Sequence, residues 1–94
     1  MKISYDPGKR AITLAERGLD FNDAPKVFAG RQLRLIDDRQ DYGEIRYLTY
    51  GLLDDRMVAI VWTPREETRH IISMRKCNAR EKAFFQGRLA QSQS

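Results

Sequence analysis

The chain has 94 residues, of which 41% are hydrophobic and 32% charged, and a formal net charge of +4. These values suit one folded domain with a modest core and exclude a disordered chain. No apolar run is long enough for a membrane span or a signal-peptide core, the single cysteine excludes an internal disulfide, and the single histidine excludes a histidine-based metal site.

Residues 2–5 (KISY) read as a short strand ended by Asp6-Pro7, where Asp6 is a good N-cap and Pro7 suits the first helical position. The helix that follows runs to Arg17, with Ile12, Leu14 and Ala15 as its apolar members and Gly18 as its stop. A second helix starts almost at once, since Phe21, Ala24, Val27 and Phe28 recur at helical spacing. Pro25 is tolerable only in a first turn, which favours Asn22 over Asp20 as the cap, and Gly30 closes the helix.

Strands are expected at 32–36, 44–52, 56–63 and 68–75. Asp54-Asp55 marks a hairpin turn between the second and third of these, and residues 64–67 form a polar turn before the fourth. The run MVAIVW is apolar on both faces, which places its strand at the centre of the sheet. Asn78 caps a last helix over about 79–89, and residues 91–94 form a disordered tail after a single domain of residues 1–90. The order β-α-α-β-β-β-β-α implies an α+β fold, a mainly antiparallel sheet of four to five strands with helices packed on it.

The charge is unevenly spread. Residues 1–64 hold ten Lys and Arg against ten Asp and Glu; residues 65–94 hold seven against three. Positive charge gathered on one strand–turn–helix unit is the footprint of a phosphate-binding surface. Strict alternation along 68–75 places Arg69, Ile71, Ser73 and Arg75 on one face and His70, Ile72, Met74 and Lys76 on the other. Ile72 and Met74 suit a face beneath the helices, which leaves Arg69, Ser73 and Arg75 displayed on the open side. A planar guanidinium favours bidentate phosphate contact. Trp62, beside this stretch, offers a ring for a single-stranded RNA base to stack on, although a lone Trp in so small a domain is more often core. No phosphate-loop, dinucleotide or metal-ligand spacing occurs. Cys77 reads as a small buried thiol and places the chain in a reducing compartment, a cytoplasm.

The chain resembles the BrnT family of type II toxin–antitoxin toxins, small ribonucleases with a RelE-like fold, over roughly residues 3–86. The residues that carry the resemblance are Tyr5-Asp6-Pro7-x-Lys9, Gly18-Leu19-Asp20-Phe21-x-Asp23-Ala24 with Val27-Phe28, Asp38-Arg39, and Tyr42-Gly43-Glu44-x-Arg46 with Gly51. An Arg-rich close completes it: Arg65, then Ile71-Ile72-Ser73-Met74-Arg75-Lys76 and Arg80-Glu81. Thr13 stands where the family usually has Asn, Arg17 where it has His, and Met74 where it has Ala.

The resemblance implies a metal-independent endoribonuclease without a cofactor, its catalysis in the basic C-terminal cluster. RNA supplies its own 2′-hydroxyl nucleophile. Arg65, Arg75 and Arg80 would clamp the phosphates and the charge that grows in the transition state, with Glu81 the simplest base and Lys76 the simplest acid. Trp62, Arg69 and Ser73 would hold RNA. The resemblance also implies a BrnA-like ribbon-helix-helix antitoxin in a 2:2 heterotetramer, which alone contacts operator DNA. The rival expectation is a non-catalytic, antitoxin-binding co-repressor module.

Overall fold

The computed structural model describes residues 2–93. Its elements are β1 (Lys2–Tyr5), α1 (Pro7–Arg17), a 3₁₀ turn (Phe21–Asp23), α2 (Ala24–Ala29), β2 (Gln32–Ile36), β3 (Tyr47–Leu53), β4 (Arg56–Arg65), β5 (Thr68–Lys76) and α3 (Ala79–Gln93). The order matches the expectation, and so does the α+β class. The sheet has five strands in the order β1-β5-β4-β3-β2. It is mixed rather than antiparallel throughout, because β1 runs parallel to β5. The doubly apolar β4 is central, as its sequence requires.

The local signals act as their chemistry dictates. Asp6 caps α1 by accepting from the backbone N–H groups of Gly8 and Lys9, and Gly18 ends the helix at φ 68°. Asp54 and Asp55 turn the β3–β4 hairpin, both with positive φ, as a primed two-residue turn needs. The second helical segment differs from the expectation. Asp20, not Asn22, is the capping residue, and it opens the 3₁₀ turn; α2 follows with Pro25 in its first turn. Asp20 is held there because the Arg10 guanidinium grips its carboxylate through two bonds of 2.8 and 2.9 Å. The last helix continues to Gln93, past its expected end and through most of the stretch expected as a tail; Ser94 lies outside the described residues.

One core fills the side of the sheet beneath α2 and the 3₁₀ turn: Leu19, Phe21, Val27, Phe28, Val58, Ile60, Trp62, Ile71 and Met74 among others. A smaller one fills the opposite side beneath α3, from Tyr50, Ala59, Cys77 and Phe85. The helices therefore cover both faces rather than one. α2 lies so close to β3 that a Cβ on Gly51 would meet Val27 Cγ1 at 2.5 Å. Gly51→Ala is expected to cost about 1–3 kcal/mol through overpacking. The cost should shrink in a Val27→Ala background, and a double-mutant cycle of thermal melts checks it; additive effects would refute the contact.

Candidate functional site

A β-bulge decides where the basic residues point. Along β4 and β5, Val61 pairs with Ser73 but Trp62 pairs with Ile71, so Ile72 is an extra, unpaired residue. Each strand residue after the bulge turns to the face opposite the one that plain alternation gives it. Ile71 and Met74, not Ile72 and Met74, enter the main core. Arg69 shares that core side, while Ser73 and Arg75 share the α3 side. The single basic face expected from the sequence does not form.

On the α3 side, Arg75 and Glu81 make a two-pronged ion pair of 2.7 and 2.8 Å. The Glu81 carboxylate also accepts the Tyr50 hydroxyl at 3.1 Å and the Asn78 backbone N–H at 3.0 Å. Asn78 Oδ1 in return accepts from the Glu81 N–H at 2.8 Å, so the two residues form a capping box at the start of α3. The Arg75 guanidinium, foremost, with the Asn78 and Tyr50 bonds, holds the Glu81 pKa down to about 2 against the opposing cost of burial. Burial and the same carboxylate raise the Tyr50 pKa, so its phenol stays a donor. A carboxylate this strongly occupied is a poor proton acceptor. It fixes the Arg75 guanidinium in place, and Arg75 has further N–H groups beyond the two it gives to Glu81.

A groove of about 360 Å³ opens beside Arg75, with Leu35, Leu48, Val61 and Ser73 as floor and Asp37 and Arg39 at its rim. Arg39 grips the buried Asp37 through bonds of 2.7 and 2.8 Å. On the other side of Ser73, a smaller cleft of about 140 Å³ is lined by Lys9, Thr13, Glu16 and Arg17 of α1. Arg17 donates to the Met74 carbonyl at 2.9 Å, which fastens α1 along β5. Ser73 is thus the shared floor of a path bordered by Lys9, Arg17, Arg75 and Arg39. Lys9 and Arg17 are the contributors that charge counting missed. Their signal lay in the quoted Lys9 and in the departures at Thr13 and Arg17, all on one helix that only the fold brings to Ser73.

The other expected residues are placed differently. Arg80 is exposed in the first turn of α3, next to Glu81. Arg65 lies on the same sheet side as Arg75 but six positions along β4 from Ala59, its partner, about 20 Å away at a strand's rise per residue. It faces Glu44 at 3.7 Å, and Arg46 faces the same carboxylate at 3.6 Å. Arg65 and Arg75 therefore cannot clamp one phosphate. Lys76 is exposed and registers with Val58 on the core side, away from Arg75. Trp62 is 3% exposed, with its indole N–H bonded to Thr49 Oγ1 at 2.9 Å, which leaves no ring face for a base. Cys77 is buried, and desolvation pushes its thiol up to about 11.

Near Ser73, His70 Nδ1 lies 2.9 Å from Ser4 Oγ. Burial, with Arg65 next, lowers its pKa below 6.5, so the ring is neutral at pH 7. Among the described residues, no three His, Cys, Asp or Glu side chains converge as a metal site. No described helix is long and apolar enough to cross a membrane.

Glu81 carries a pH consequence. Its folded pKa lies below the ordinary 4.5, so its stabilising contribution is present above that value and is lost as pH falls from about 4.5 to about 2. After allowance for the half-exposed Arg75, the amount is on the order of 2 kcal/mol. Denaturant midpoints measured against pH should fall through that window, and Glu81→Gln should remove that part of the slope. An unchanged slope in the variant would show that Glu81 is not so held.

A family model described as "Ribonuclease toxin, BrnT, of type II toxin-antitoxin system" matches residues 5–81. The matched span begins at the end of β1 and closes on Glu81, so it includes Lys9, Arg17, Arg39, Ser73 and Arg75. No curated protein matches the chain.

Proposed function

Because the chain belongs to the BrnT family of type II toxin–antitoxin ribonuclease toxins, we propose that it is a metal-independent endoribonuclease in which the 2′-hydroxyl attacks the adjacent phosphate, the P–O5′ bond breaks, and the products are a 2′,3′-cyclic phosphate and a 5′-hydroxyl that takes up the proton. The observation that supports this most is the guanidinium of Arg75, held by Glu81 at the edge of the groove floored by Ser73. A guanidinium already fixed in place needs no reorganisation when charge gathers on the phosphorane, and one such contact is worth roughly 3–4 kcal/mol. Arg75 is the transition-state clamp and Glu81 its positioning residue. Lys9, Arg17, Arg39 and Arg80 border the path of the RNA strand on either side of Ser73. Arg65 takes a phosphate several nucleotides away, a distance that its 20 Å offset suits better than a shared clamp.

Cleavage of cellular RNA in the cytoplasm would stop translation and growth, and a cognate antitoxin of the BrnA type would neutralise it. In this reading the antitoxin is a ribbon-helix-helix dimer that binds two toxins and contacts operator DNA itself. Purified protein incubated with RNA in the presence of EDTA tests the catalytic part. Cleavage is the expected result. Intact RNA, together with growth that continues on expression, would favour the non-catalytic co-repressor.

A further inference from the structure

The second basic site lies on the opposite side of the sheet. Arg69 Cζ stands 4.5 Å from the centroid of the Trp62 ring and 4.6 Å from that of Phe28. Arg34, on the edge strand β2, stands 5.1 Å from the same Trp62 ring and 5.3 Å from Tyr47. The two guanidinium groups are thus held on one aromatic shelf. Neither has a carboxylate within ion-pair distance among the described residues, whereas Arg10, Arg39, Arg46, Arg65 and Arg75 all do. Arg69 Nη1 is buried and has no hydrogen-bond partner. Burial first, and then the like charge of Arg34, lower its pKa. Two like charges beside a buried, unsatisfied N–H form an arrangement that a bound anion would complete. Above them lies an open groove of about 450 Å³ that also takes in Tyr47, Pro64, Glu66 and Glu67.

We propose that Arg34 and Arg69 form a carboxylate-binding site that receives an acidic side chain from a partly apolar segment of the protein partner. A peptide fits this surface better than RNA. Glu66 and Glu67 on the rim repel a continuous run of phosphates, while a single carboxylate avoids them. Tyr47 and Ile36, neighbours across β2 and β3 on this side, offer apolar contact, and Ile36 is 67% exposed. The unpaired edge of β2, which carries Arg34, offers backbone groups to an extended segment. The inference rests on the family's having an antitoxin partner, not on which residues cleave RNA.

Trp62 is the only tryptophan, so its emission reports on this site directly. The protein is titrated at fixed ionic strength with a short capped peptide alternating glutamate and leucine, with the same peptide carrying glutamine for glutamate, and with a short oligouridylate. The acidic peptide is expected to give a saturable change in emission that the glutamine peptide does not. Arg34→Gln and Arg69→Gln should each weaken it about tenfold, with RNA cleavage retained. Arg34 is exposed on an edge strand, so its variant remains informative if Arg69→Gln fails to fold. A saturable change with oligouridylate and none with the acidic peptide would overturn the proposal in favour of a phosphate site. Equal response to both peptides, or no response to any ligand, would also overturn it. Loss of cleavage in the parent protein would refute the nuclease reading without touching this one.

Discussion

Arg75→Ala is expected to lower RNA cleavage by about a hundred- to thousandfold. The fold locks this guanidinium to Glu81 through two short bonds, as it locks Arg39 to Asp37 on the rim, and Arg75 lies beside Ser73 in the lining of the groove. The substitution also strips Glu81 of its strongest partner. Glu81 keeps the Tyr50 and Asn78 donors, so the stability cost should be about 1–3 kcal/mol rather than global unfolding. Two further variants separate chemistry from packing. Arg75→Lys keeps the charge but loses the fork, and should recover stability better than rate. Glu81→Gln leaves one acceptor oxygen for the Asn78 N–H, sets an NH2 group against the Tyr50 hydroxyl and loosens the aim of Arg75; it should slow cleavage less than Arg75→Ala. Single-turnover cleavage of a short RNA, beside a thermal melt of each variant, reads both quantities. A fully active Arg75→Ala would remove Arg75 from the mechanism. Since the Glu81 carboxylate is already ionised far below neutrality, the rate should show no carboxylate inflection between about pH 4 and 7. An inflection that disappears in His70→Gln would point instead to His70 as the proton acceptor.

The largest stability loss is expected from Trp62→Ala. The ring is buried, packs against Phe28 and Tyr47 with centroids 5.6 and 4.8 Å away, and satisfies Thr49. Removing it opens a large cavity and should cost about 3–5 kcal/mol. In a domain of this size, where total stability is about 5–15 kcal/mol, that is a large share of the margin. Calorimetry or a circular-dichroism melt would show it as a Tm lowered by tens of degrees or as no cooperative transition. Trp62→Phe, which keeps most of the volume, should fold and cleave RNA normally. A Trp62→Ala chain that melts like the parent but binds RNA poorly would restore the stacking role that burial denies it.

Much of the fold was legible because its signals act over a few residues. Asp6-Pro7, Gly18, Asp54-Asp55 and the Asn78 cap each satisfy or release backbone groups within one turn, so their effect does not depend on the rest of the chain. β4 declared itself central because a strand buried on both faces must be apolar on both. Asp20 escaped because its choice over Asn22 is settled by Arg10, ten residues earlier and on another helix. The candidate site was legible in type but not in arrangement. Arg75, Glu81 and Ser73 do meet; Lys76 and Arg69 face elsewhere, and Arg65 is too far along the sheet.

What the sequence by itself determined is the order of elements, several of their caps and turns, the central strand and the presence of surplus positive charge near the C-terminus. Each follows from propensity, capping or periodicity, which are local. Only the tertiary structure decided how that charge is shared. The extra residue at Ile72 exists only in the pairing of β5 with β4, and a one-residue slip exchanges the faces of every side chain beyond it. The same pairing turned Arg75 toward Glu81 and turned Arg69 to the side of Arg34, where neither has a carboxylate partner among the described residues.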